Sequence, residues 1–373
     1  MSSALTDLLP YPIVQAPMAG GVSVPQLAAA VCEAGGLGFL AAGYKTADGM
    51  YQEIKQLRGL TGRPFGVNVF LPQPEYSGAH TGSAAAGAAA PPHAGAVELY
   101  AHQLAGEAAW YETELGDPDS GRDDGYEVKL AVLLDNPVPV VSFHFGVPSR
   151  DVVERLRRAG TVTLVTATTA EEALAVERAG ADAVIAQGVE AGGHQGTHRD
   201  QPENDGCGIG LLSLIAQIRE TVRIPVVAAG GIMRGGQIAA VLAAGACAAQ
   251  LGTAFLATPE SGARPEHKQA LTNPLFARTE LTRAFSGRPA RALVNRFVRE
   301  HGPYAPAAYP EIHHLTSPLR KAAAKAGDAQ GMALWAGQGH RLARELPAGR
   351  LVEVLADELA AARAALSADG GRR

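Results

Sequence analysis

The sequence predicts an α/β fold, a (β/α)8 barrel of the TIM type with a mostly helical cap near the carboxyl-terminal mouth of the strands. Eight short apolar runs indicate buried strands, and helical stretches lie between several of them. Most of these runs lack polar alternation, which is typical of parallel strands covered on both faces. A doubly wound open sheet is the alternative. Eight strands, with polar or glycine-rich segments at several strand ends, favour the barrel.

The strands are predicted near residues 13–18, 37–42, 65–70, 138–145, 161–166, 182–187, 224–229 and 247–252. Helices are predicted over residues 25–34, 150–159, 170–179 and 235–244. Each of these helices is followed by a glycine, at Gly35, Gly160, Gly180 and Gly245. Glycine adopts the left-handed conformation that ends a helix without steric cost. The recurrence of helix, glycine and strand therefore indicates repeated βα units.

Two regions interrupt this rhythm and suggest a division of the chain. Residues 1–257 are expected to form the barrel, with an insertion at about 73–135 that contains helices near 97–115 and 126–134. The Gly-, Ala-, Ser- and Pro-rich composition of residues 72–92 predicts a mobile loop. Residues 258–330 are expected to form the cap, and helices in 331–373 to pack back on the barrel. The apolar face of the last helix, near 351–366, leaves a monomer and a homodimer open.

Composition excludes several classes of protein. The chain has 373 residues, 47% hydrophobic and 18% charged, which is sufficient for a large core and unlike a disordered chain. A net charge of −5 without lysine or arginine runs argues against nucleic acid or an anionic membrane as partner. No apolar run has the length of a spanning helix, and no signal peptide is expected. Scattered Cys32, Cys207 and Cys247 argue against a disulfide framework or zinc site, so a reducing, cytoplasmic location is expected.

The most informative motif is Gln187-Gly-Val-Glu-Ala-Gly-Gly-His-Gln-Gly196. Gln187 ends the sixth predicted strand, where its amide can hydrogen-bond the edge of a pyrimidine-like ring. Gly192 and Gly193 permit positive φ and the close approach of a ligand to the backbone. His194 is expected to project over the barrel mouth, where an ordinary pKa near 6.5 suits proton transfer. The alternative is a glycine-rich turn with an exposed histidine.

Two further segments follow the seventh and eighth strands, where barrels commonly bind phosphate through backbone N–H groups. The candidate cofactor-binding residues there are Gly230, Gly231, Gln250, Leu251, Gly252 and Thr253. The Thr253 hydroxyl can add a side-chain donor. Two closely packed glycine turns are the alternative. The chain lacks G-x-G-x-x-G and P-loop motifs, which argues against a Rossmann or nucleotide-hydrolase fold.

Polar or unusual side chains also end the first, third and fourth strands. Pro17 and Met18 end the first, and Met18 can slide against a flat ring. Asn68 lies in the third strand and needs hydrogen-bond partners if it is buried. His144 lies in the fourth strand and is a candidate second catalytic histidine. A strand-ending proline with a core methionine, an asparagine bonded to a loop and a buried core histidine are the respective alternatives.

The cap contributes four candidate substrate contacts. Ser286 and Arg288 belong to the stretch Phe285-Ser-Gly-Arg-Pro-Ala-Arg291, and Arg288 is a candidate anion contact. Tyr309 and His313 could line a substrate entrance. A polar cap surface is the alternative for each of them.

Together these motifs resemble the class I nitronate monooxygenases, formerly called 2-nitropropane dioxygenases. The resemblance rests on Gln15-Ala-Pro-Met18, Val141-Ser-Phe-His-Phe-Gly146, Glu190-Ala-Gly-Gly-His194 and the cap stretch 285–291, and it covers most of the chain. The Glu-Ala-Gly-Gly-His motif is also found in the FMN-dependent enoyl-acyl-carrier-protein reductases. It is therefore specific for the superfamily and not for the reaction.

The resemblance implies an FMN-bearing barrel with FMN contacts at Asn68, Gln187, Gly192, Gly231 and the segment 250–253, and a catalytic role for His194. The implied reaction oxidises a small alkyl nitronate, such as propionate 3-nitronate, with O2 to a carbonyl compound and nitrite by one-electron flavin chemistry. An NAD(P)H-dependent FMN reductase acting on enoyl thioesters or quinones is the alternative. A non-catalytic flavin- or phosphate-binding barrel is a third hypothesis.

Overall fold

A computed structural model describes residues 4–72, 93–200, 202 and 208–370 of the chain. Its main sheet has eight parallel strands: β1 (Ile13–Gln15), β2 (Phe39–Ala41), β3 (Gly66–Phe70), β4 (Val140–His144), β5 (Val162–Ala167), β6 (Ala183–Gln187), β8 (Val226–Ala229) and β9 (Ala248–Leu251). The strand order is β1-β9-β8-β6-β5-β4-β3-β2. A parallel bridge between Val14 and Leu37 joins the two ends of this sheet. The predicted (β/α)8 barrel is therefore confirmed, and the open-sheet alternative is wrong.

The helices of the first half are α1 (Pro25–Glu33), α2 (Ala47–Leu60), α3 (Ala94–Gln103), α4 (Ala105–Trp110), α5 (Tyr126–Asp135), α6 (Arg150–Arg158) and α7 (Ala170–Ala179). Those of the second half are α8 (Leu211–Thr221), α9 (Gly235–Ala243), α10 (Thr253–Leu256), α11 (Pro265–Ala270), α12 (Arg296–His301), α13 (Glu311–Lys325) and α14 (Ala348–Gly370). The helix expected near 97–115 is divided at Leu104 into α3 and α4. The mobile loop predicted over 72–92 lies, apart from residue 72, outside the described residues.

Local sequence explains where the barrel helices begin and end. The Ser149 side chain accepts a hydrogen bond from the N–H of Val152 and so caps α6, while Thr169 caps α7 in the same way. Gly160 and Gly180 follow these helices with φ of +81° and +86°. Capping side chains satisfy free N–H groups at the start, and left-handed glycines reverse the chain at the end. The capping side chains and the glycines thus fix where each helix begins and ends, and the chain then continues into the next strand.

The strand register brings polar side chains together inside the upper barrel. Asn68 of β3 lies opposite Ser142 of β4, and Phe70 lies opposite His144. Because side chains alternate along a strand, Val140, Ser142 and His144 share one face while Val141 and Phe143 face the helices. Val140 belongs to the apolar layer that fills the lower barrel. The interior is therefore apolar at the bottom and polar at the carboxyl-terminal mouth.

The cap contains a small antiparallel sheet that the sequence did not predict. It comprises β10 (Thr279–Thr282), β11 (Ala290–Leu293) and the two-residue β7 (Gly193–His194), in the order β10-β11-β7. Ala290 pairs with His194 and Arg291 with Gly193. The cap strands thereby fix the backbone of the glycine-rich loop that carries His194.

The carboxyl-terminal helix α14 packs on α9 and α1 at the outside of the barrel. The Glu358 carboxylate accepts a hydrogen bond from the N–H of Gly235 at 2.7 Å and pairs with Arg344, which joins α14 to the start of α9. Within the described part of the chain, no helix combines the length and apolarity needed to cross a membrane.

Candidate active site

A cavity of about 1010 Å³ opens at the carboxyl-terminal mouth of the barrel, beneath the cap. The structure brings sixteen of the sequence-predicted site residues to its wall: Pro17, Met18, Asn68, His144, Gln187, Gly192, Gly193, His194, Gly230, Gly231, Gln250, Leu251, Gly252, Thr253, Tyr309 and His313. They come from strand ends and cap segments that are far apart in sequence. Their convergence follows from the parallel barrel, which puts all strand carboxyl ends at one rim.

Ser286 and Arg288 lie behind this wall and do not line it. Arg288 is fully buried, and its guanidinium carbon lies 4.1 Å from the centroid of the Phe145 ring. The Ser286 hydroxyl lies 2.8 Å from Nε2 of His194. The expected direct contact of these two residues with substrate therefore has no support in the geometry. Ser286 instead contacts His194, which lines the cavity. Arg288 packs on Phe145, which lies next to it.

His194 is held in a defined orientation with a neutral ring. Burial, with the positive charge of Arg288 and the neighbouring His144 and Arg320, lowers the pKa of His194 well below its ordinary value. The Ser286 hydroxyl can donate to the Arg288 carbonyl oxygen at 3.3 Å while it accepts from Nε2–H of His194. In this tautomer the ring proton lies on Nε2. The Nδ1 lone pair has no partner among the described residues and is available as a base.

The second histidine, His144, is also neutral. Burial and the charge of Arg288 lower the pKa of His144 to about 3. Its ring centroid lies 4.5 Å from that of Phe145, which carries a positive φ of +73°. A non-glycine residue with such a φ is uncommon and concentrates at functional sites. His144 and His194 thus line one edge of the cavity, with Phe145 and Arg288 behind it.

Gln187 uses its amide in a way that the sequence did not predict. Its Nε2 donates to the backbone oxygen of His194 at 3.0 Å, and its Oε1 accepts from the N–H of Gly196 at 2.7 Å. The amide therefore shapes the loop that carries His194. Glu190 of the same loop accepts hydrogen bonds from the N–H of Leu211 at 2.9 and 3.1 Å, so it caps α8.

Several polar groups on the cavity wall have no protein partner. The Asn68 amide nitrogen donates to Ser142 Oγ at 2.9 Å, whereas its Oδ1 has no donor among the described residues. Gln250 Oε1 is buried without a partner. Buried polar atoms of this kind normally bind something, because an unmade hydrogen bond costs about 1–3 kcal/mol. These two amides therefore fit the polar edge of a ring-shaped ligand.

The loops after β8 and β9 offer donors for an anionic group. Within the described residues, the backbone N–H groups of Gly230, Gly231, Gly252 and Thr253 donate to no protein acceptor. Gly230 and Gly231 have φ of +139° and +66°, which favours glycine and lets a ligand approach the backbone. Thr253 Oγ1 accepts from the N–H of Gly337 at 2.9 Å, which leaves its own proton to donate.

Sequence reasoning missed several residues that line the cavity. Tyr44 follows β2, carries a positive φ of +65° and stacks on His313 with a centroid distance of 3.9 Å. Its hydroxyl lies 3.3 Å from that of Tyr309. The strand-end rule that found the other residues would also have found Tyr44. Arg320 and Trp335 carried no local signal, because only the folding of the cap over the mouth brings them to the wall.

A sequence model of the family "Nitronate monooxygenase" matches residues 2–358. The chain belongs to the nitronate monooxygenase family. It is 44% identical to the nitronate monooxygenase of Pseudomonas aeruginosa over 96% of this chain and 99% of that protein. It is 43% identical to the nitronate monooxygenase of Paraburkholderia phytofirmans over 93% of this chain and 92% of that protein. The resemblance inferred from the motifs is thereby confirmed.

Similar folds occur among solved structures. A nitroalkane oxidase from Streptomyces ansochromogenes is 83% identical with a TM-score of 0.92, over 98% of this chain and 100% of that one. FabK from Thermotoga maritima is 28% identical with a TM-score of 0.73, over 99% of each chain. Nitronate monooxygenases are flavin-dependent oxidoreductases.

Proposed function

We propose that this protein is an FMN-dependent nitronate monooxygenase that oxidises small alkyl nitronates with O2 to a carbonyl compound and nitrite. The observation that carries the proposal is a neutral imidazole at the rim of a cavity whose wall offers free amides and free backbone N–H groups. His194 supplies the imidazole, Asn68 and Gln250 the amides, and the loops after β8 and β9 the N–H groups. Family membership supports the same reaction class.

The free groups fit FMN at both of its ends. The N–H groups of Gly230, Gly231, Gly252 and Thr253 would hold the phosphate, and Asn68 Oδ1 and the Gln250 amide would bind the polar edge of the ring. Met18 lines the same wall and offers a soft apolar side chain for the ring face. When bound, FMN supplies the one-electron oxidation of the nitronate and the transfer of the electron to O2.

His194 determines what the site can do with a proton. Because its pKa lies well below neutrality, the imidazole is unprotonated at pH 7 and can accept the α-proton of a neutral nitroalkane at Nδ1. Ser286 holds Nε2 and so fixes the ring in this orientation. A nitronate has already lost that proton and requires only binding. The neutral ring thus extends the reaction from nitronates to their parent nitroalkanes.

The proposal is tested by the visible spectrum of the purified protein under argon, before and after addition of an alkyl nitronate. We expect a flavin spectrum that bleaches or shifts with the nitronate and recovers in air with release of nitrite. The likeness to FabK gives the competing outcome. If NADH bleaches the flavin and the nitronate does not, the protein is an NAD(P)H-dependent reductase for an enoyl thioester or a quinone.

Arg288→Met is expected to move the acid limb of kcat/KM for a neutral nitroalkane to higher pH. The charged and titratable groups that lower the pKa of His194 are Arg288, His144 and Arg320. A base works only above its pKa, so removing the positive charge raises the pKa and makes activity fall at a less acidic pH. We expect a displacement of about one pH unit, the order that one charge produces at an effective dielectric constant of ~20.

The measurement for Arg288→Met is nitrite release as a function of pH. Arg299→Met, a substitution of an exposed arginine on α12, serves as the control with an unchanged profile. An acid limb that stays in place in Arg288→Met would show that its charge does not act on the base.

A further inference from the structure

The most unusual charge at the cavity is that of Arg320. This half-buried arginine of α13 lines the cavity wall. Its Nε donates to Thr316 Oγ1 at 3.2 Å, and its Nη2 donates to the backbone oxygen of His313 at 2.8 Å and lies 3.3 Å from His313 Nδ1. Its Nη1 has no partner in the described part of the chain. Burial lowers the pKa of Arg320, and no carboxylate pairs with its guanidinium among the described residues.

Two other shielded arginines of the molecule pair with carboxylates, whereas the buried Arg291 donates to the backbone oxygen of Val189. Arg283 pairs with Asp200, and Arg344 pairs with Glu358. Taking a guanidinium partly out of water without an opposite charge is unfavourable, so buried charges are normally paired. Arg320 departs from this rule at a cavity wall, where a ligand can supply the missing negative charge.

The phenols of Tyr44 and Tyr309 lie in the same part of the cavity as Arg320, which is called the corner below. The hydroxyls of Tyr44 and Tyr309 lie 3.3 Å apart, and the Tyr44 ring stacks on His313, which contacts Arg320. Burial raises the pKa of Tyr44 to about 12 and that of Tyr309 well above its ordinary value, so both phenols keep their protons. They can donate hydrogen bonds to an anion and cannot neutralise the guanidinium themselves.

The corner lies close to the proposed base. The Tyr309 ring centroid is 5.9 Å from that of His194 and 6.4 Å from that of His313. Of the other described cations on the wall, Lys45 is bound to Glu53 and Arg122 to Asp119, whereas Arg264 and Lys321 are exposed. Arg320 is thus the cation best placed to act on a small ligand whose carbon faces His194.

We propose that Arg320, with the hydroxyls of Tyr44 and Tyr309, forms an anion-binding corner that makes the enzyme favour the nitronate anion over its neutral parent nitroalkane. The inference rests on the proposed function. The two forms have the same carbon skeleton and differ by one proton. Only the anion carries a net charge on its two nitro oxygens, and charge-assisted hydrogen bonds are about twice as strong as neutral ones. Arg320 therefore binds the anion more tightly and leaves the neutral form to depend on His194.

The test compares ethyl nitronate and nitroethane as substrates of the FMN-loaded enzyme. Arg320→Met should lower kcat/KM for the nitronate by roughly 10- to 100-fold, as expected for a charge-assisted hydrogen bond, and that for nitroethane by less than about threefold. Arg320→Lys keeps the charge without the planar fork and should recover part of the loss. Lys325→Met is the matched control, because this exposed lysine at the end of the same helix lies outside the cavity wall and should leave the ratio of the two substrates unchanged.

A binding measurement separates this inference from the proposed reaction. Nitrate is a planar oxyanion that cannot react, and its dissociation constant can be followed through the fluorescence of Trp335 on the cavity wall. It should bind more weakly to Arg320→Met by a similar factor. Equal losses for both substrates, or unchanged nitrate binding, would overturn the anion corner. An enzyme that turns over neither substrate but binds nitrate through Arg320 would refute the proposed function alone.

Discussion

His194→Asn is expected to retain its flavin and to lose turnover of neutral nitroethane by roughly 100- to 10,000-fold, the range that a positioned acid–base side chain contributes. Asparagine is too short to replace the contact of Nε2 with Ser286, and its amide cannot hold a proton taken from carbon. The prediction depends on the neutral state of His194, because the unprotonated wild-type ring can accept a proton across the neutral pH range. The measurements are nitrite release and the visible flavin band of the same sample.

Ethyl nitronate is the internal control for His194→Asn. It has already lost the α-proton, so its turnover should fall by less than about tenfold, reflecting altered binding alone. Wild-type turnover of nitroethane by the variant would assign proton removal to another group. His144 would then be the next candidate, because burial keeps its ring neutral as well, with a pKa of about 3.

The barrel could be predicted because its signals are local. Apolar runs without polar alternation indicated the strands, and glycines after the helices indicated each return to the sheet. The cap sheet carried no such signal. Its strand β7 has two residues, Gly193 and His194, and forms only because β11 pairs with it across a long stretch of sequence. Pairing between short segments that are far apart in sequence cannot be inferred from the periodicity of hydrophobic residues.

The site could be predicted in part for the same reason. A polar or glycine residue at the end of a parallel strand must lie at the barrel mouth, which located Asn68, His144 and the loops after β8 and β9. The use of each group was harder to predict. Both ends of the Gln187 amide hydrogen-bond to the backbone of its own loop, and Arg288 lies behind Phe145. Such details depend on the path of loops and of the cap, which residue type alone does not determine.

Gly192→Ala is expected to weaken FMN binding by roughly 10- to 100-fold through the backbone that shapes the cavity. A Cβ at this position would lie 2.5 Å from the nitrogen of Gly337 and 2.6 Å from the carbonyl carbon of Ala336. The Gly337 N–H donates to Thr253 Oγ1, beside the free N–H groups proposed to hold the phosphate. Relieving the clash must move one of these backbones, and overpacking of this kind costs about 1–3 kcal/mol.

Gly193→Ala is the matched control, because it changes the neighbouring glycine without the clash. A Cβ there meets nothing within 4 Å, but the φ of +74° is left-handed. The expected cost is therefore about 1–2 kcal/mol of backbone strain, seen mainly as a lower Tm. FMN titration followed by flavin fluorescence, together with thermal unfolding, distinguishes the two variants. If both lost FMN affinity equally, the contact of residue 192 with residues 336–337 would not be the specific cause of the loss. If neither did, the contact between residues 192 and 336–337 would not control the phosphate side of the cavity.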